Sequence, residues 1–313
     1  MPITTERPET TKPALTTTVA KEYVHRASLS EVFLTGWEKA GPDAYVVTAQ
    51  WPRSHSFYAP EQGLHDPLLL CETVRQTFPL LTHVAYNVPF GYQLSWQRMQ
   101  FSINPQALRM ESTPCEVELH VTVSDIRYHR ALPTQMSMHI DVVRDGTLLA
   151  VASTRFGCHS PAVYERLRAG RGNKELFANA PAAPQAISRY RVGRQRTQDI
   201  VLAPTQERWR WQLRVDTSHP VLFDHPLDHV PGMLLLESVR QAGHALQPSW
   251  SPMIPTAMDV TFNRYVELDE PCWIEAEALS GGTSARRTVR VNALQGGSFA
   301  FTATTEMTDV SSV

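Results

Sequence analysis

The chain has 313 residues, 42% hydrophobic and 19% charged, with a formal net charge of −2. This composition fits a soluble globular protein of one or two domains and advertises no polyanion-binding role, so no nucleic-acid partner is expected. The four cysteines (Cys71, Cys115, Cys158, Cys272) show neither metal-ligand nor disulfide-framework spacing, which suits a reducing cytoplasm and implies no metal and no cofactor.

Residues 1–20 are rich in Thr and Pro and lack a basic start followed by an apolar run, so they read as a disordered tail and not a signal peptide. No stretch approaches the ~18 consecutive apolar residues of a membrane span. The first folded unit is expected over 21–160. In it YVVTAQW (45–51) alternates as a strand, and DPLLLCETVRQTF (66–78), extended to about 81, reads as a helix. Asp66 then Pro67 make an N-cap and first-turn pair, and Leu68, Leu69, Leu70, Val74 and Phe78 leave little polar circumference, the pattern of a buried helix. Strands follow at 93–103, 116–128, 135–143 and 148–156, the last two joined by the hairpin dipeptide Asp145-Gly146. Residues 161–205 carry several prolines and read as a linker with a short helix near 161–169. Arg166, Arg168, Arg171, Lys174, Arg189, Arg191, Arg194 and Arg196 make this stretch basic, either as a solvated segment or as a docking surface for an acidic or phosphorylated partner. The second unit, 206–308, repeats the order: a strand at 209–215, a helix at 229–246 opened by Pro231, then strands at 256–268, 272–279, 285–294 and 298–307.

Residues 58–76, YAPEQGLHDPLLLCETVRQ, return without a gap 165 positions later as FDHPLDHVPGMLLLESVRQ. Glu72, Arg75 and Gln76 fall on Glu237, Arg240 and Gln241, a polar stripe spaced i, i+3, i+4 on an otherwise apolar helix. One fold therefore occurs twice. Buried charge costs several kcal/mol unless paired, so each stripe is either a self-satisfying ion pair in the core or part of a site. Cys71 projects about 100° away from Glu72 and has Leu236 as its counterpart, which argues against a cysteine nucleophile.

A buried helix preceded by a loop of His, Asp and Pro and followed by antiparallel strands resembles the hot-dog fold. LFDHPLDHVPGMLLLESVRQAG (222–243) is similar to the dehydratase pattern, in which Pro-Gly opens the central helix and Glu237 follows Gly232 by five residues; the first copy has Asp66-Pro67 instead. Taken together, 24–37, 55–76 and 222–241 resemble the A-factor biosynthesis (AfsA-type) proteins of actinomycetes, over residues 21–308. The resemblance implies an α+β tandem of two hot-dog units forming an intrachain pseudo-dimer, with further oligomerisation open. It also implies transfer of a β-ketoacyl chain from acyl carrier protein to the hydroxyl of dihydroxyacetone phosphate, toward a γ-butyrolactone, furan or butenolide signal that controls antibiotic production.

Such a transfer needs a base for the hydroxyl proton, donors for the tetrahedral oxyanion, and cations for the phosphate. The sequence offers Glu72 or Glu237 as base, the N–H groups near Gly232 as donors, and Arg75 or Arg240 as cation, with Glu72 and Arg240 forming one composite site. His55, His65, His225 and His229 stand in the loops before the helices, and Gln76 and Gln241 follow the arginines; of these His65, His225, His229, Gln76 and Gln241 are candidate substrate contacts. The alternatives are a thioesterase or dehydratase acting on carrier-bound chains, and a non-catalytic acyl-chain binder.

Overall fold

The computed structural model describes residues 16–172, 174–246, 252–283 and 285–313. Most of the Thr/Pro-rich tail lies outside them. In chain order the regular elements are β1 (Leu34–Gly41), β2 (Ala44–Trp51), α1 (Pro67–Val84), β3 (Gln93–Ile103), β4 (Cys115–His129), β5 (Leu132–Arg144) and β6 (Thr147–His159). Then come α2 (Pro161–Arg168), α3 (Lys174–Ala178), α4 (Arg189–Val192), β7 (Leu202–Pro204), β8 (Arg210–Leu213), α5 (Gly232–Leu246), β9 (Met253–Phe262), β10 (Trp273–Ala278), β11 (Arg286–Gln295) and β12 (Ser298–Asp309).

All twelve strands join one antiparallel sheet in the order β1-β2-β4-β5-β6-β3-β9-β12-β11-β10-β8-β7. Read outward from the central β3–β9 pair, the two halves have the same topology, and Phe101 opposite Met258 marks the seam. Alternation explains the strands: along β4, Cys115, Val117, Leu119, Val121 and Val123 point inward while Glu116, Glu118, His120 and Thr122 face water. The Asp145-Gly146 turn has both residues at positive φ, 48° and 73°, as a tight two-residue hairpin requires. Inside the curled sheet lie α1 and α5, nearly all of whose side chains are buried, as the apolar circumference predicts. Helix α1 continues past Pro79, which removes the N–H that Arg75 C=O would otherwise accept but does not stop the helix. This is the tandem hot-dog expected from the resemblance.

Residues 161–205 depart from the solvated-linker expectation. Arg168 is buried and ion-paired with Asp228 and Glu267. Arg194 is buried too and reaches Glu237 on α5. From Val192 onward the chain repeats the start of the first unit 168 positions later: Arg26, Glu31 and Phe33 recur as Arg194, Asp199 and Val201. The geometry recurs with them. Gln76 accepts from Phe33 N–H and donates to Glu31 C=O, while Gln241 accepts from Val201 N–H and donates to Asp199 C=O. His55 and His219 each take two backbone N–H bonds on Nδ1 and meet an acid, Glu31 or Asp199, through Nε2. Arg194 therefore belongs to the folded second half, and a docking surface for an acidic partner cannot include it.

Candidate active site

Each glutamate heads a cluster drawn from three parts of the chain. Glu72 accepts from Arg75, Gln76 and Arg26, with the Arg26 guanidinium 2.5 Å away. Arg26 also donates to Val221 C=O and faces Asp224, both from the second half. The second cluster mirrors this one. Glu237 accepts from Arg240, Gln241 and Arg194 at 2.7 Å, and Arg194 donates to Phe57 C=O of the first half. Arg240 meets Asp66 at 2.7 Å.

The two clusters differ at the helix starts. At α1, Asp66 caps its own helix, accepting from Leu68 N–H with one oxygen and binding Arg240 with the other. The helix N-terminus, an anion site in principle, is thus filled by a carboxylate of the protein itself. At α5 the same place is Pro231-Gly232, and among the described residues no side chain accepts from the N–H groups of Gly232 or Met233. A cavity of about 500 Å³ opens there. Its lining includes His25, Arg26, Arg75, Asp224 and His225, and also Ser95, His159, His229 and Tyr265, with Phe78, Trp96 and Phe262 among the apolar walls. Gly232 is required by close approach, since a Cβ there would lie 2.9 Å from the Trp96 ring.

Electrostatics separate the clusters further. Burial works against ionisation of Glu72, yet Arg26 and Arg75 hold its carboxyl down to about 2. Burial pushes Glu237 up to about 7 against the pull of Arg194, and Asp66 up to about 6. In the second cluster two fully buried carboxyls share the guanidiniums, which is why the same hydrogen-bond set ends with the opposite sign.

These positions correct several expectations. Glu72 and Arg240 do not meet; each is tied to its own cluster. Glu72 is fully buried behind Arg26 and Arg75, and a saturated carboxylate of such low basicity is a poor proton acceptor. Glu237 and Arg240 are equally enclosed. Gln76 and Gln241 pin backbone within their own halves. His65 is buried against Trp51, with rings 5.7 Å apart and neither ring nitrogen bonded, and is not among the residues that line the cavity. Arg75, His225, His229 and Gly232 do line the cavity.

The sequence reading passed over two Asp-His dipeptides. His225 Nδ1 is bonded to Asp224, and His229 Nδ1 to Asp228 at 2.6 Å. An acid on Nδ1 fixes the tautomer, so Nε2 of each ring is left as the lone-pair face. Asp224 is itself held ionised below its ordinary range: burial opposes this, but the His225 bond and Arg26 prevail. The repeat contained the signal, because the first copy has Ala59-Pro60 and Gly63-Leu64 at these places.

The profile of the A-factor biosynthesis hotdog domain matches residues 8–160 and 178–311. The chain belongs to this family. A Streptomyces virginiae protein named 2-oxo-3-(phosphooxy)propyl 3-oxoalkanoate synthase is 44% identical over 281 residues, 90% of this chain and 94% of the relative. A Streptomyces coelicolor protein of the same name is 39% identical, covering 90% and 88%. Among solved structures, a Lactobacillus plantarum protein assigned as an oleoyl thioesterase superimposes over 86% of this chain and 98% of its own, with a TM-score of 0.52 at 14% identity, a likeness of fold.

Buried neutral groups make this AfsA-family protein acid-sensitive. Burial depresses His25 to about 3, with His83 and Arg75 adding to it, and depresses His65 and His244 to about 4. A histidine lowered from its ordinary 6.5 contributes stability that is intact above pH 6.5 and lost as pH falls toward the folded value. Glu72, also depressed, adds a loss between its ordinary 4.5 and about 2. The melting temperature should hold above pH 7 and decline from pH 6.5 to 3, less steeply above about pH 4.5, where protonation of Glu237 and Asp66, raised to about 7 and about 6, offsets part of the histidine loss. A flat profile down to pH 4 would show that these histidines already titrate normally.

Proposed function

We propose that the chain is a 2-oxo-3-(phosphooxy)propyl 3-oxoalkanoate synthase: it moves a 3-oxoacyl group from an acyl carrier protein thioester to the hydroxyl of dihydroxyacetone phosphate. The observation that carries this is one cavity that presents two guanidiniums, a histidine dyad and an uncapped helix start together. Arg26 and Arg75 suit a phosphate because both guanidiniums reach the cavity, where they share Glu72 and Asp224 as counter-charges. The N–H groups at the start of α5 suit the thioester oxygen, with the helix dipole favouring the charge that develops on it.

His225 Nε2 takes the hydroxyl proton as the alcohol oxygen attacks the thioester carbon, and Asp224 stabilises the imidazolium formed. Collapse of the tetrahedral intermediate breaks the C–S bond, and the His225 imidazolium gives its Nε2 proton to the departing thiolate, which restores the neutral ring. The relatives' names supply the substrate class and their near-full-length coverage supports carrying it over.

The test is mass spectrometry of the purified protein with a 3-oxoacyl carrier protein, with and without dihydroxyacetone phosphate. The phosphorylated ester should form only when both are present. Release of free 3-oxo acid at the same rate without the phosphate would favour a thioesterase, the activity to which this fold also lends itself.

A further inference from the structure

In the cavity lining, Ser95 on β3 and His159 at the end of β6 meet at 2.7 Å through Oγ and Nε2. Space for the pair is made by Gly157, cross-strand from Ser95: a Cβ there would lie 2.8 Å from both atoms. Tyr265 lines the same cavity, and its ring packs edge-on against His229 at 4.7 Å. All three line the cavity, beside apolar Leu94, Trp96 and Phe262. The acyl-transfer scheme uses none of them.

Counting hydrogens decides what this triplet offers. His159 is neutral, its basicity lowered by burial. Ser95 O–H and one imidazole N–H supply two hydrogens, and the bond between them consumes one; whichever way it runs, one is left to donate, and the Tyr265 O–H adds another. Position limits the acceptor. Trp96, the residue after Ser95, approaches the place of a Gly232 Cβ to 2.9 Å, so the triplet lies next to the α5 start that holds the thioester oxygen. In a 3-oxoacyl thioester the second carbonyl stands two carbons from the first. An acyl chain threaded along the apolar wall from α5 therefore brings its 3-oxo oxygen, which would otherwise be buried without a partner, to this donor.

We propose that Ser95 and His159, with Tyr265, form the subsite that recognises the 3-oxo group and sets the preference for 3-oxoacyl over saturated acyl donors. The proposal rests on the transferase reading for its substrate but is tested by binding alone. Dissociation constants are measured by calorimetry for 3-oxooctanoyl and octanoyl N-acetylcysteamine thioesters, on the wild type and on Ser95→Ala, His159→Phe and Gly157→Ala.

The wild type should prefer the 3-oxo ligand by about tenfold or more, the scale of one buried hydrogen bond. Ser95→Ala should bring the two constants within about twofold by weakening only the 3-oxo ligand, and Gly157→Ala should do the same by displacing the pair. A wild-type protein that binds both ligands equally, or a Ser95→Ala protein that keeps the preference, overturns the inference. Equal weakening of both ligands overturns it as well, since that marks a wall of the acyl channel. A parallel assay for transfer to dihydroxyacetone phosphate keeps the two ideas apart: absence of transfer sinks the transferase reading, while the binding ratio still decides the subsite.

Discussion

His225→Ala should lower kcat by roughly 10²–10⁴-fold, the usual cost of removing a positioned general base. The fold should survive, because the side chain is 36% exposed and its hydrogen bond is to the neighbouring Asp224. KM for dihydroxyacetone phosphate should change little, since Arg26 and Arg75 remain. His229→Ala should cost less, because the proton taken up and returned in the reaction resides on His225. Steady-state kinetics and a melting curve on both variants check this. If His225→Ala turns over within threefold of the wild type, the base has been assigned wrongly.

Arg194→Ala should do the opposite, removing about 3–5 kcal/mol of stability while leaving kcat of the folded fraction nearly unchanged. Its guanidinium serves Glu237 and the Phe57 carbonyl and stacks 4.5 Å over the Phe57 ring, so its loss leaves a buried carboxyl short of a partner and loosens the contact between halves. Arg26, its counterpart, faces the cavity. Substitution there should damage both stability and substrate binding. Chemical denaturation paired with kinetics at low denaturant separates the cases. A large fall in kcat for Arg194→Ala with no shift in the denaturation midpoint would show that the second cluster takes part in turnover.

The contrast between these arginines goes with a cavity that opens at the start of α5. Symmetry supplied two helix starts, two Glu-Arg-Gln stripes and two arginines from the other side. At α1 the position before the first proline became an aspartate, which supplies internally the anion that the helix start attracts. At α5 the equivalent position is Pro231, followed by Gly232, and the site stays open to a ligand.

The sequence by itself determined the duplication, the two buried helices, the antiparallel strands and the family. Periodicity and repetition are properties of residue order, and a buried helix must show an apolar circumference whatever it packs against. It also marked Arg75, His225, His229 and Gly232, because polar residues and glycine next to a core helix have few structural reasons to be there. The tertiary structure alone decided how the charges pair. Glu72 and Arg240 look complementary along the chain, but each side chain reaches only a few ångströms, and the partners that satisfy them, Arg26 and Asp66, come from loops tens to nearly two hundred residues away. Arg194 looked like a solvated linker residue because its return into the core depends on a second repeat, 24–37 onto 192–205, in which few identical residues remain. Ser95 and His159 lie 64 positions apart and meet only because β3 and β6 are neighbours in the sheet, a pairing that no local pattern encodes.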